Sequence, residues 1–129
     1  MVLIVDVIKE VPQDFQNFFE QFIKKLSEKT FMEGGTIVQI IETGPRESGK
    51  TWFQLLPATS MEVKFLVNFE KKSFGIEVSI DLTANFVSNV KKGGILGKKM
   101  LKAKMDVFKE GLNNQLSILI KQALIESLK

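Results

Sequence analysis

The sequence predicts an α+β domain in which a curved antiparallel sheet packs on a long C-terminal helix. Between Met61 and Leu82, apolar and polar residues alternate with a period of two. From about Gly97 or Lys98 to Leu128, apolar residues recur every three or four positions, and a shorter stretch with the same period lies near the start. At 129 residues the chain has the length of one ordinary domain, so residues 1–129 are read as a single unit with one core.

The elements follow in order. Val2 to Val7 is nearly continuous and β-branched, which makes a short strand. Pro12 falls where a first helical turn tolerates it. Phe15, Phe18, Phe19, Phe22, Ile23 and Leu26 then recur at helical steps, with Gln16, Gln21, Lys24 and Lys25 on the other side. Gly34-Gly35 ends this unit. Thr36 to Thr43 and Lys50 to Leu56 are strands separated by a turn at Gly44 to Gly49, and Pro57 stops the second.

Met61, Val63, Phe65, Val67 and Phe69 alternate with Glu62, Lys64, Asn68 and Glu70, with Leu66 breaking the pattern. After a turn at Lys71-Lys72, Ile76, Val78, Ile80 and Leu82 alternate with Glu77, Ser79, Asp81 and Thr83. Such alternation belongs to antiparallel strands with one wet face. Asn85 to Val90 is ambiguous, so the strand count is five or six, and Lys91-Lys92-Gly93-Gly94 makes a turn. The last helix carries Leu101, Met105, Phe108, Leu112, Leu116, Leu119 and Ala123 on one stripe, widened by Val107, Ile118, Ile120 and Leu124. A stripe this wide needs a broad partner. Gly111 costs the helix roughly 1 kcal/mol relative to alanine and is expected to mark a bend or a close contact.

Composition narrows the chemistry. A hydrophobic share of 44% with 26% charged residues is that of a folded chain rather than a disordered one. Without cysteine there is no disulfide, thiolate nucleophile or zinc ribbon, and without histidine the commonest general base and metal ligand is missing. No catalytic residues, metal site or cofactor are expected. The start lacks the features of a signal peptide and no apolar run approaches a membrane span, so a cytoplasmic location is expected. The net charge is +3, and Arg46 is the single arginine. Lysine binds anions as a point charge, so sequence-specific reading of nucleic acid is disfavoured. High Lys and Glu without Cys suits a thermophile, against which several Asn and Gln stand.

The stretch G-G-I-L-G-K-K-M-L-K-A-K-M-D-V-F-K-E-G-L-N-N-Q-L-S-I-L-I-K-Q-A-L-I-E-S-L, Gly93 to Leu128, resembles the closing glycine turn and helix of the START-like, or helix-grip, superfamily, which includes polyketide cyclases and the birch-pollen allergen class. The opening V-L-I-V-D-V-I-K-E-V-P-Q-D-F-Q-N-F-F-E-Q-F is similar to their first strand and helix. The resemblance covers most of the chain and is architectural, without a diagnostic catalytic motif. It implies a reduced member with fewer strands and a smaller cavity, like small START-like proteins of thermoacidophilic archaea. It further implies a hydrophobic small molecule or lipid as partner, held between the sheet and the last helix by Phe65, Val67, Phe69, Val78 and Ile80 from strands and Met105, Phe108 and Leu112 from the helix. The competing reading is that these side chains fill the core.

Two rival functions are also written in the residues. Gly44-Pro45-Arg46-Glu47-Ser48-Gly49-Lys50-Thr51 matches the P-loop pattern G-x-x-x-x-G-K-T, which would make the chain a nucleotide-binding enzyme. A phosphate loop must open into a helix, yet here it opens into Trp52-Phe53-Gln54-Leu55-Leu56-Pro57, so a hairpin loop is the expectation. The other rival is an interaction module that joins an identical copy through an apolar face, which leaves monomer and homodimer open.

Among polar residues, Asp6 falls by alternation on the side of Val2, Ile4 and Ile8, as a carboxylate against an apolar wall or at a strand edge. Glu77 and Asp81 flank Ser79 on a face expected to be solvated. Lys91, Lys92, Lys98, Lys99, Lys102 and Lys104 form a basic excess, read as a solvated helix face or as a non-specific contact with the headgroups of an anionic membrane or with nucleic-acid phosphates.

Overall fold

The computed structural model describes residues 2–33, 35–58, 61–86 and 94–129, the last range with its side chains from residue 102 onward. The chain runs β1 (Val2–Ile8), α1 (Phe15–Ser27), β2 (Thr30–Glu33), β3 (Thr36–Glu42), β4 (Lys50–Leu56), β5 (Met61–Lys72), β6 (Gly75–Phe86) and α2 (Gly94–Ser127). All strand pairs are antiparallel, in the order β1-β6-β5-β4-β3-β2. The sheet curls into a half-barrel, with α2 as the C-terminal helix.

Alternation gives the sheet two faces. Phe53 and Leu55 of β4, Met61 to Phe69 at every second position of β5, and Ile76 to Ala84 at every second position of β6 are buried on the concave side. Phe53 pairs with Phe65 across β4 and β5, and their rings stack at 5.3 Å. The opposite face carries Glu62, Lys64, Glu77, Ser79 and Asp81, half-buried or exposed.

Consecutive strands β1 and β2 lie at opposite edges, so α1 must cross the sheet. Asp14 caps it by accepting a hydrogen bond from the Asn17 backbone N–H at 3.0 Å. Pro12 therefore precedes the cap instead of occupying the first turn. Phe18, Phe19, Phe22, Ile23 and Leu26 are buried. Phe15, Phe18, Phe19 and Phe22 place their rings 6.0, 5.9, 5.5 and 5.0 Å from that of Phe69, all at steep angles, the edge-to-face arrangement favoured by aromatic quadrupoles.

Among the described residues the sixth strand is β2. Thr30–Glu33 is only four residues long and lies at the edge, too short and too exposed to show alternation. Asn85 belongs to the end of β6, which reaches Phe86, and β5 runs through the expected Lys71-Lys72 turn, so the chain reverses at Ser73-Phe74. Gly94 is already helical, while Gly34, residues 87–90 and Lys91-Lys92-Gly93 lie outside the described residues.

In β1 the register slips between Ile4 and Asp6. The extra residue turns Val5 inward, leaves Val2 and Ile4 exposed, and makes Asp6 and Ile8 no longer share a side with them. Asp6 is half-buried and accepts a hydrogen bond from the Val7 backbone N–H at 2.8 Å.

The two halves of α2 differ. Leu112, Leu116, Ile120, Ala123 and Leu124 are buried against the core, yet no side chain from 102 to 111 is fully buried. Val107 and Ile118, expected beside the buried stripe, are exposed. Lys29 ties the helix end to the start of β2 through Glu126 at 2.6 Å. Gly111 is exposed with nothing near its missing Cβ, so no close contact calls for it. Gly75 is the opposite case: its φ is +141°, and a Cβ there would collide with the Ile8 backbone oxygen. We expect Gly75→Ala to lower unfolding free energy by about 2–3 kcal/mol and Gly111→Ala to raise it by about 0.8–1 kcal/mol, both read from urea denaturation midpoints at constant slope.

Candidate functional site

The P-loop-like segment joins β3 to β4 as antiparallel neighbours and opens into a strand, not a helix. Its charged groups are engaged with one another. Arg46 donates from Nε at 3.0 Å and Nη2 at 2.7 Å to the two oxygens of Glu42, a bidentate fork. The buried Thr51 hydroxyl donates to Glu42 Oε2 at 2.7 Å. Lys50 lies 3.2 Å from Glu47, and the backbones of these two residues exchange hydrogen bonds. Gly49 has φ +78° and sends its carbonyl to the Phe69 N–H at 2.6 Å, and a Cβ there would stand 2.9 Å from the Phe69 carbonyl oxygen. The loop is thus tied inward at Thr51 and at Phe69, and its lysine and arginine each meet a carboxylate.

The eight residues predicted to bind a ligand all belong to the core or pack against it. Phe65, Val67, Val78 and Ile80 have no accessible surface, and Phe69 and Leu112 have almost none. Side chains in contact on all sides face no space for a guest. Met105 and Phe108 are half-buried against the same core.

Space opens between the sheet and α2. A groove of about 590 Å³ runs between Leu3 of β1, Leu82 of β6 and one flank of α2 carrying Asp106, Lys109, Glu110, Asn113 and Asn114. That volume lies within the range typical of small-molecule sites. Asn113 Oδ1 is buried with no hydrogen-bond partner among the described residues, a situation that costs about 1–3 kcal/mol and is rare in a protein interior. Leu3 escaped the sequence reading because the β1 bulge hides its facing. The polar flank escaped because it reads as an ordinary wet helix surface.

The remaining candidates disperse. Glu77, Ser79 and Asp81 occupy the outer face of β6, half-buried. Lys102 and Lys104 are exposed, whereas Lys91 and Lys92 and the side chains of Lys98, Lys99 and Leu101 lie outside what is described. Among the described residues no three Asp or Glu side chains converge as metal ligands, and no helix is long and apolar enough to cross a membrane.

Arg46 beside Glu42 holds its carboxyl below the usual carboxylate range, helped by Thr51 and opposed by burial. A lowered folded-state pKa stabilises the fold above the unfolded value of about 4.3, and this contribution is lost as pH falls through the folded value. Glu42→Gln should therefore lose less melting temperature than the parent chain between pH 6 and pH 3, as followed by circular dichroism. Parallel acid limbs would refute the clamp's role. No protein-family model matches the chain, and none of the curated proteins matches it.

Proposed function

We propose that this chain is a reduced START-like, helix-grip protein that binds a hydrophobic small molecule or lipid between its sheet and C-terminal helix, without catalysis, in the cytoplasm. One observation carries the reading: no described side chain in the first half of α2 is fully buried, whereas Leu112, Leu116, Ile120, Ala123 and Leu124 are, and the groove lined by Leu3 and Leu82 opens beside that transition. The strand order, with β1 beside the last strand and the long helix following, supports the assignment. None of the predicted set of Phe65, Val67, Phe69, Val78, Ile80, Met105, Phe108 and Leu112 lines this groove; they belong to the core or pack against it. Nucleotide hydrolysis finds no support in a loop that enters a strand and pairs its own charges.

Asn114 is exposed at the groove, so Asn114→Trp fills the space without disturbing the core. N-phenyl-1-naphthylamine should fluoresce on binding the parent chain and lose most of that signal in the variant. Equal enhancement in both would refute the site. Native mass spectrometry of freshly purified protein should show added mass that is lost on denaturation, and none that depends on magnesium and ATP.

A second reading rests on Val107, Ile118 and Ile125, which are 70%, 58% and 58% exposed. They recur at steps that return to within about 20° on a helix, making one outward stripe along α2 that a second copy could cover. Sedimentation should then show a concentration-dependent dimer that Ile118→Lys abolishes. A strict monomer would remove this reading.

A further inference from the structure

The two edges of the sheet are not alike. At β1 the register slips between Ile4 and Asp6 and α2 packs alongside, and such a bulge blunts an edge against foreign strands. At β2 the pairing with β3 runs unbroken from Thr30 to Glu33, the strand holds no proline or lysine, and among the described residues nothing pairs with its outer side. Phe31 packs against the core, and Glu33 lies half-buried on the same concave side by alternation. Lys29 reaches that side too, since it meets Glu126 of α2. Among the described residues Glu33 has no ion-pair partner. On the convex side Met32 stands opposite Ile37, and they are 56% and 62% exposed.

We propose that the outer edge of β2 pairs antiparallel with the same edge of a second copy, about a two-fold axis through Phe31, so that the two sheets become one. This surface is separate from the α2 stripe and from the groove. A strand that joins a sheet keeps its faces, so concave residues must meet concave ones and the axis must pass through a residue. Through Phe31, Lys29 of each copy meets Glu33 of the other, and opposite charges facing across a strand pair are stabilising. An axis through Thr30 or Met32 sets Phe31 against one of these charges and leaves them unmatched. The segment, with its cation before Phe31 and its anion after, is therefore complementary to itself in one register. In that register Thr30 stands opposite Met32 of the other copy. The two Met32 side chains become diagonal neighbours about 7–8 Å apart and carry the exposed Ile37-Met32 row across the junction. A four-residue strand offers few backbone bonds, so the dimer is weak and reversible.

The chain has no cysteine, so disulfide cross-linking reads the register directly. Opposed residues lie within disulfide reach and diagonal neighbours do not. Thr30 and Met32 are exposed, so replacing either leaves the core intact. On mild oxidation, an equimolar mixture of whole chains bearing Thr30→Cys or Met32→Cys should give a covalent dimer, and each variant alone at the same total concentration at least about tenfold less. Sedimentation of the parent chain should show a reversible dimer. Glu33→Lys, checked for folding by circular dichroism, should raise its midpoint concentration at least about tenfold, and Ile118→Lys should leave it unchanged. A monomer throughout the micromolar to millimolar range, or self-linking of either variant as efficient as that of the mixture, overturns the inference. So does a dimer that Ile118→Lys abolishes and Glu33→Lys leaves intact, which would belong to the α2 stripe instead.

Discussion

The packing of α1 on Phe69 is the constraint from which the architecture follows. Because β1 and β2 are neighbours in sequence and edges in space, one helix has to connect opposite sides of a sheet six strands wide. Laid flat, the edges would stand about 24 Å apart at the usual strand spacing, whereas the 13 residues of α1 extend about 20 Å. Segments 9–14 and 28–29 make up the remaining distance, and the curl of the sheet makes a concave face for the helix to fill. Four phenylalanine rings of α1 around Phe69 hold the helix there, and the space left on the concave side is what the second half of α2 occupies.

That division accounts for the different behaviour of α2 along its 34 residues. From Leu112 onward it has α1 and the β1-β6 edge to pack against. Before that point, among the described apolar side chains, Met105 and Phe108 are half-buried and Val107 is exposed. A helix of this length extends about 51 Å, and before Leu112 Met105 and Phe108 are its described side chains that pack against the core.

Much of this was legible in the sequence because it is periodic. The inward set of β5 and β6 and the buried face of α1 were read residue by residue, since each pattern runs long enough to fix its phase. Local exceptions were not legible. The β1 bulge inverts facing within one residue, so plain alternation places Asp6 beside Ile4 and gives no sign of Leu3 at the groove. β2 is an exposed four-residue edge strand whose composition carries no signal. The same apolar letters that suggested a cavity wall, Phe65, Val67, Val78 and Ile80, are those of a filled core, and no sequence pattern distinguishes a wall from a floor. The groove itself lies between residues of β1, β6 and α2 that are far apart in sequence, and no motif marks their meeting.

The β3-β4 hairpin shows how a functional signature can be assembled from unrelated requirements. Its glycines answer to backbone handedness at Gly44 and to the proximity of Phe69 at Gly49, while Thr51 answers to a buried partner in Glu42. Only Lys50, half-exposed on a surface ion pair, has no steric reason to be there. Sequence drift should therefore erase the resemblance from the lysine outward, sparing the glycines longest. A phosphate-binding loop would drift in the opposite sense, since the lysine is the letter it can least spare.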